Sequence, residues 1–468
     1  MSATHQHLEN IRSFFEAAPT SPGWAARGYR RQLAHYYNLY IPPQSSVLEV
    51  GCGSGELLAS LHAARKVGID LSPRQIEAAR VRLPGVQLLI QSGEELNLTG
   101  SFDYIIVSDT LNFAADVQRL LERLHLYSHP DTRLILNFYS ILWRPFLTFG
   151  QWLGIRSPQP NSSWLSTADV LNLLHLADWG PIQLQPRILL PFSIPLLEPL
   201  CNRWLAPCFN WFCLTDFCVA RPRRGEERPS LSVSVIIPAR NEAGNIEAAV
   251  LRTPVMGAGT ELIFVEGHSK DETWAEIQRV AAKYPERKIK VMQQTGKGKG
   301  DAVRMGFAAA TGDLLMILDA DLTMPPEELP KFYEVLASGR AEFANGCRLV
   351  YPMDEKAMQF LNLCANKAFG LIFTWLLGQP VKDTLCGTKV LSRTNYAKIA
   401  ANRAYFGDFD PFGDFDLLFG AAKLNLKIAD VPIRYKERTY GSTNIQRWKH
   451  GWLLLRMVMF AAHKLKFV

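Results

Sequence analysis

The chain has 468 residues, of which 48% are apolar and 20% charged, a balance that excludes a disordered protein and leaves room for two to four domains with large cores. The net charge of +7 is modest for this length and points to anionic partners without choosing among nucleotides, phospholipid surfaces and nucleic acid. The eight cysteines form no Cys-x-x-Cys pair and have no histidine cluster beside them, which argues against a zinc site and for a reducing compartment.

The first residues, Met1 to His7, lack the apolar stretch of a signal peptide. No window offers about 18 uninterrupted apolar residues, so no spanning helix is expected; with the reducing compartment that the cysteines favour, a cytoplasmic location is expected. After a helical lead-in, residues 46–50 read as a strand that runs into Gly51-Cys52-Gly53-Ser54-Gly55, then a helix from 56 to about 64. A second strand, 66–70, ends at Asp70. The spacing, 70 − 51 = 19 residues, suits a carboxylate that binds ribose hydroxyls beside a glycine-rich turn. His125, His129 and His175 fall on helices or turns and are assigned nothing. Cys208, Cys213 and Cys218, five residues apart among aromatics, read as buried free thiols.

The glycine pattern is G-x-G-x-G preceded by Leu48-Glu49-Val50, not the G-x-G-x-x-G of dinucleotide sites. It resembles motif I of class I S-adenosylmethionine-dependent methyltransferases, and the resemblance extends over roughly residues 10–220. It implies a Rossmann-like α/β domain, with its fourth and fifth strands at 102–109 and 133–138, and S-adenosyl-L-methionine as cofactor. Glu49, Gly51, Gly53, Gly55 and Asp70 would be cofactor contacts, and Glu94, in Ser92-Gly93-Glu94-Glu95 after the third strand, would lie at the adenine. The methyl acceptor stays open, because methyl transfer needs mostly alignment and desolvation. The stretch from Tyr139 to Trp164 departs from the minimal fold and builds an acceptor pocket or a surface contact.

Residues 221–230 are charged, proline-bearing and aperiodic, the expected linker between a domain at 1–220 and a second at 231–443. The second domain restarts an α/β pattern with strands at 232–237 and 261–266. Gly296-Lys297-Gly298-Lys299-Gly300 then opens a helix suited to phosphate oxygens, without the spacing of a Walker A loop. Residues 314–318 form an apolar run that stops at Asp319-Ala320-Asp321. Two acids so close repel unless a cation sits between them, so Asp-x-Asp at a strand end suggests a hard divalent metal, Mg2+ or Mn2+. Alone the pattern is more often a solvated turn; its neighbours favour the metal.

Together these segments resemble the GT-A fold of family 2 glycosyltransferases, the class containing dolichol-phosphate mannosyltransferases, over about residues 231–445. The resemblance implies a nucleotide-diphosphate sugar donor. Pro238, Arg240 and Glu242 would form the first nucleotide turn, with Glu266 at the position of a "DDGS" acid and Gly267 replacing the second. Asp319 and Asp321 would hold metal and diphosphate, Asp321 acting in catalysis, assisted by Lys299 and Arg304. Thr323 stands where the lipid-phosphate branch often has Gln. Asp383, Arg438 and Ser442 match acceptor-side motifs of the polyprenyl-phosphate branch. Asp416, or else Asp414, would be the base.

The C-terminal residues 444–468 read as an amphipathic helix with Trp448, Trp452, Leu455 and Met459 among Arg447, Lys449, Arg456, Lys464 and Lys466. Such a helix can lie in a bilayer interface, making the protein peripheral on the inner face of the membrane, or can pack on the catalytic domain. The reading is a bifunctional transferase: metal-dependent, inverting sugar transfer to an acceptor of the polyprenyl-phosphate kind, and methylation of an unidentified acceptor. The alternative is transfer to a soluble glycan or protein, with the first domain a cofactor-binding or scaffolding module. No Asn-Pro-Pro-Tyr-type motif or concentrated basic face supports a nucleic-acid partner.

Overall fold

The computed structural model of the chain describes residues 3–21, 23–152, 160, 164–223, 230–351, 360–405, 415–438, 440 and 447–468. Two compact units divide the chain between Arg223 and Arg224.

The first unit is a seven-stranded sheet: β1 Ser46–Val50, β2 Arg65–Asp70, β3 Gln87–Ile90, β4 Tyr104–Ser108, β5 Arg133–Tyr139, β6 Trp179–Arg187 and β7 Thr215–Pro222. The spatial order is β3-β2-β1-β4-β5-β7-β6. β1 to β5 pair in parallel, while β7 runs antiparallel to both β5 and β6. The central strands read Val-Leu-Glu-Val and Ile-Ile-Val because helices cover both faces of the sheet and leave no polar side. Leu48, Ile69, Val107, Leu136 and Trp179 share one buried cluster. β7 continues through Arg221 and Pro222, which the sequence placed in the linker; both are buried there. The helix expected from 56 to about 64 stops at Ser60. Asn38 ends it: its side chain donates to Ser60 O at 2.8 Å and accepts from His62 N at 3.0 Å, replacing the next turn's hydrogen bonds. Cys213 and Cys218 are buried as expected, but Cys208 is exposed.

The second unit has β8 Val233–Ala239, β9 Thr260–Glu266, β10 Ile289–Gln293, β11 Leu314–Ile317, β12 Phe343–Cys347, β13 Lys389–Ser392 and β14 Ile428–Pro432, in the order β10-β9-β8-β11-β13-β12-β14. β8 to β11 are parallel; β13 inserts antiparallel between β11 and β12. All four residues of β11 are buried, as its unbroken apolar sequence requires for a strand in mid-sheet.

The helix Arg447–Leu465 divides its faces. Leu454, Met457, Val458, Ala461 and Ala462 are buried, whereas Trp452, Leu455, Met459 and Phe460 are exposed. It neighbours the helix Phe360–Leu377. The side chains of Arg447, Trp448 and Lys449 lie outside the described residues. Among the described residues no helix is long and apolar enough to cross a membrane.

Candidate active sites

In the first unit Val50 pairs with Ile69 on one side and Val107 on the other. Gly51, Asp70 and Asp109 therefore emerge along one sheet edge, the carboxyl end where open α/β sheets bind ligands. The amides of Gly51 and Cys52 both donate to Ile69 O at 2.9 Å. Gly51, Gly53 and Gly55 have φ of 73°, 51° and 74°, left-handed values that glycine adopts without strain. At Gly51 a Cβ would also strike the Thr110 side chain. Asp70 stitches the turn to β2: its Oδ2 accepts from Gly53 N at 2.8 Å and its Oδ1 from Ser72 N at 2.9 Å. Burial raises its carboxyl, and these amides oppose the rise.

Glu49 is buried, and its Oε2 has no partner among the described residues. Burial, with Asp70 nearby, pushes its carboxyl up to about 8, against the pull of Arg30. A buried, unsatisfied acceptor is costly unless a ligand completes it. Glu94 behaves differently. Its Oε2 accepts from Ser92 Oγ and its Oε1 from Ala115 N at 2.9 Å, so a ligand contact there would compete with two protein donors.

Sequence reading missed a polar chain at the ends of β4 and β5. Asp109, at φ 52°, accepts from Tyr29 Oη at 3.0 Å and from Asn137 Nδ2 at 2.6 Å, and Asn137 Oδ1 accepts from Tyr37 Oη at 2.7 Å. Burial, then the Asp109 charge, raises Tyr29 well above an ordinary phenol. The only signal in the sequence was an acid closing the fourth strand.

In the second unit, Ala239 pairs with Glu266 and Glu266 with Gln293, so Arg240, Gly267 and Gln294 sit at three adjacent strand ends. Leu318 N donates to Ile236 O at 2.9 Å, which carries Asp319 to the same edge. Pro238 lies in β8, and Arg240 just beyond it is exposed. Glu266 is buried and receives Ser269 N. Gln294 and Asp301, both unremarked in the sequence, shape the glycine loop. Gln294 Nε2 donates to Gly298 O at 2.8 Å and to Asp301 Oδ2 at 2.9 Å, and Gly296 N donates to the same Oδ2 at 3.1 Å. Arg304 lies 3.9 Å from Asp301.

The acids after β11 are each held by a cation. Lys299 Nζ is 2.6 Å from Asp319 Oδ1. Arg438 Nη2 is 2.6 Å from Asp321 Oδ2, and its Nη1 is 2.6 Å from Glu242 Oε1. Thr323 donates its hydroxyl at 2.9 Å and its amide at 3.1 Å to Asp321 Oδ1, fixing that carboxylate. Gly387 closes the other side: a Cβ there would overlap Asp319 Oδ2 and Lys299 Nζ. Among the described residues no group of three or more His, Cys, Asp or Glu is gathered for a metal. The two carboxylates nonetheless suit a hard divalent ion, which characteristically takes one or two carboxylates and completes its shell with substrate phosphate oxygens and water.

Asp383, expected at the acceptor, is fully buried. Arg348 grips it through Nε at 2.7 Å and Nη2 at 2.9 Å. Burial alone would raise this carboxyl, but the Arg348 charge and hydrogen bonds hold it below the usual range. It orders the loop that carries Gly387 and does not itself face solvent. Asp416 pairs with Arg403 at 3.3 Å and lines a small pocket with Ile399, Asn402, Gly420 and Lys423. Burial pulls the Lys423 ammonium down to about 8. Asp319 and Asp321 are not among that pocket's lining residues. Asp414 and Ser442 lie outside the described residues.

Residues 48–136 match the family model described as a methyltransferase domain, and residues 234–396 match that of glycosyl transferase family 2. The chain is 40% identical over 224 residues to a dolichol-phosphate mannosyltransferase of Pyrococcus furiosus, which covers 46% of this chain and 60% of that relative. It is 29% identical over 256 residues to a dolichyl-phosphate beta-glucosyltransferase of Drosophila melanogaster, covering 50% of this chain and 75% of the relative. Among solved structures, a Thermotoga maritima SAM-dependent methyltransferase matches at 19% identity and a TM-score of 0.37, covering 46% of this chain and 99% of that one. The chain thus spans less than two thirds of the Pyrococcus relative it resembles.

Proposed function

We propose that this chain, in which a methyltransferase domain is joined to a glycosyl transferase family 2 domain, transfers a sugar from a nucleotide diphosphate to a polyprenyl phosphate and methylates a second acceptor. The observation that carries the sugar-transfer reading is the charge cluster Lys299–Asp319 and Arg438–Asp321–Glu242 at the carboxyl ends of β8 and β11. The names of the relatives, both transferases acting on dolichyl phosphate, support the acceptor class.

In an inverting transfer the acceptor oxygen bonds to the anomeric carbon as the bond to the diphosphate breaks, and the leaving group departs with the electron pair. Lys299, now bound to Asp319, supplies positive charge where negative charge develops on the leaving diphosphate. A magnesium or manganese ion bound by Asp319 and Asp321 would neutralise the leaving diphosphate. A phosphate acceptor is already anionic, so no base has to take a proton from it. This agrees with Asp416 being engaged by Arg403, and Arg438 is the stronger candidate to clamp the acceptor phosphate. Donor binding tests the site: a screen of nucleotide sugars by thermal shift should find a stabilising donor whose effect grows with manganese. Stabilisation indifferent to both metal and donor would remove the proposed chemistry from this site.

S-adenosylmethionine, when bound, supplies the methyl group, and the glycine turn, Asp70 and Glu49 would hold it. The orphaned Glu49 Oε2 suits a cationic ligand group. Asp70→Ala should weaken cofactor binding by roughly 1.5–3 kcal/mol, the worth of a hydrogen bond to a charged group, as read by calorimetry. Equal affinity in the variant would remove Asp70 from the site. Glu49 adds a pH signature. Its folded carboxyl is raised to about 8, so at neutral pH it is largely protonated, and a cation arriving beside it favours the charged form. Binding near pH 7 should release up to about one proton, seen as a dependence of binding heat on buffer ionisation enthalpy, and Glu49→Gln should abolish that release. An unchanged release in Glu49→Gln would assign the proton elsewhere.

A further inference from the structure

The helix Arg144–Trp152 buries none of its residues. Leu142, Phe146, Phe149 and Trp152, three or four residues apart, are 59%, 68%, 57% and 78% exposed. A second stretch, 194–212, is open over most of its length, with Leu196 88% exposed and Trp211 64%, although Asn202 and Ala206 within it are buried. The two are joined where Trp143 Nε1 donates to Phe212 O at 2.8 Å. Taken as residues 141–152 and 194–212, they hold fourteen of the eighteen exposed large apolar residues described in the first unit, so the exposed apolar side chains are concentrated there and not scattered. Leu196 sits at φ 67°, a backbone region unfavourable for a bulky residue, yet its side chain gains no burial from it.

The charges identify the occupant. The two stretches contain only Arg144, Glu198 and Arg203 as charged residues. Glu198 is neutralised by Arg31 at 2.6 Å, which leaves the face basic. A second copy docking symmetrically would bring together two faces of the same positive charge, with Glu198 on each already taken by Arg31. An anionic bilayer accepts both the arginines and the aromatic rings, which favour the level of the headgroups.

We propose that this face seats the methyltransferase unit on an anionic phospholipid surface, with the ridge from Leu142 to Trp152 and the Leu196 tip entering the headgroup region. The first stretch leaves the carboxyl end of β5, the sheet edge that also carries the glycine turn. The proposal is separate from the sugar-transfer reading; Phe467, past the C-terminal helix, touches one end of the face, its ring stacked on Trp204 at 5.3 Å and its carbonyl accepting from Arg203 Nε at 3.1 Å.

The full chain and the triple variant Phe146→Ser, Phe149→Ser, Trp152→Ser should be sedimented with vesicles of phosphatidylcholine and phosphatidylglycerol, at low salt and at high salt. Removing three inserted rings should lower partitioning by about tenfold or more, and the loss should persist at high salt, where attraction between charges is screened. The C-terminal helix contributes equally to both proteins and cancels. A parent that does not bind, or a variant that binds as the parent does, overturns the proposal. So does a parent that dimerises without lipid while the variant is monomeric, which would assign the face to a second copy. If the triple variant fails to show the parent's thermal melt, the single Leu196→Asp decides by the same readings.

Discussion

Replacing Asp319 or Asp321 with asparagine is expected to cut sugar transfer by on the order of 10²–10³-fold, the scale seen when one preorganised electrostatic group is removed from a transition state. The fold should survive. Asp319 is one-third exposed, and an asparagine at 321 keeps an oxygen for the Thr323 hydroxyl and amide. Arg438 retains its second carboxylate, Glu242, at 2.6 Å. Thermal melts of both variants should therefore overlay the parent while transfer fails. Chelator should reproduce the loss, and added magnesium or manganese should reverse it. Full transfer in chelator would remove the metal from the account, and a collapsed melt would recast both acids as structural.

Arg348→Met should be strongly destabilising. It strips the partner from a fully buried carboxylate, and breaking a buried pair on one side costs about 3–5 kcal/mol. For a unit of this size that is on the order of 10 °C in melting temperature. The sign with pH can be worked out. In the parent the Asp383 carboxyl is held low by Arg348, against burial. Its contribution is complete above the ordinary carboxylate range and is lost as pH falls through the lowered value. In the variant burial acts with less opposition, the carboxyl rises, and protonation at low pH relieves the penalty. The gap between the two melts should therefore be widest near neutrality and narrow as pH drops to about 4. A constant gap would mean that Arg348 acts through packing and not through charge.

The strand-end placement of much of both candidate sites was legible because the pattern is local. β1 and β11 are short, largely apolar runs and β2 ends in Val67-Gly68-Ile69-Asp70; each is closed by an acid or a glycine turn, and those residues fall at the sheet edge because each strand stops there. What the sequence hid is pairing over distance. Arg438 reaches Asp321 across 117 residues and Arg348 reaches Asp383 across 35, and no spacing rule links them. Motif resemblance placed Asp383 at the acceptor, but an acid that orders a loop and an acid that touches a ligand look alike in sequence. Gly387 is the same case: its lack of a side chain matters only because β13 turns back antiparallel and brings its loop onto Asp319. The C-terminal helix was read as either membrane-facing or packed. It has one buried face and one exposed apolar face, so periodicity alone could not choose.

The most direct measurement follows labelled sugar. The full chain and Asp321→Asn would be given the donor found by thermal shift, manganese, and vesicles carrying a polyprenyl phosphate, beside a soluble glycan mixture. The account predicts label in the organic phase, dependent on the polyprenyl phosphate and absent with Asp321→Asn. Label confined to the soluble glycans, or equal transfer to lipid by the variant, would contradict it.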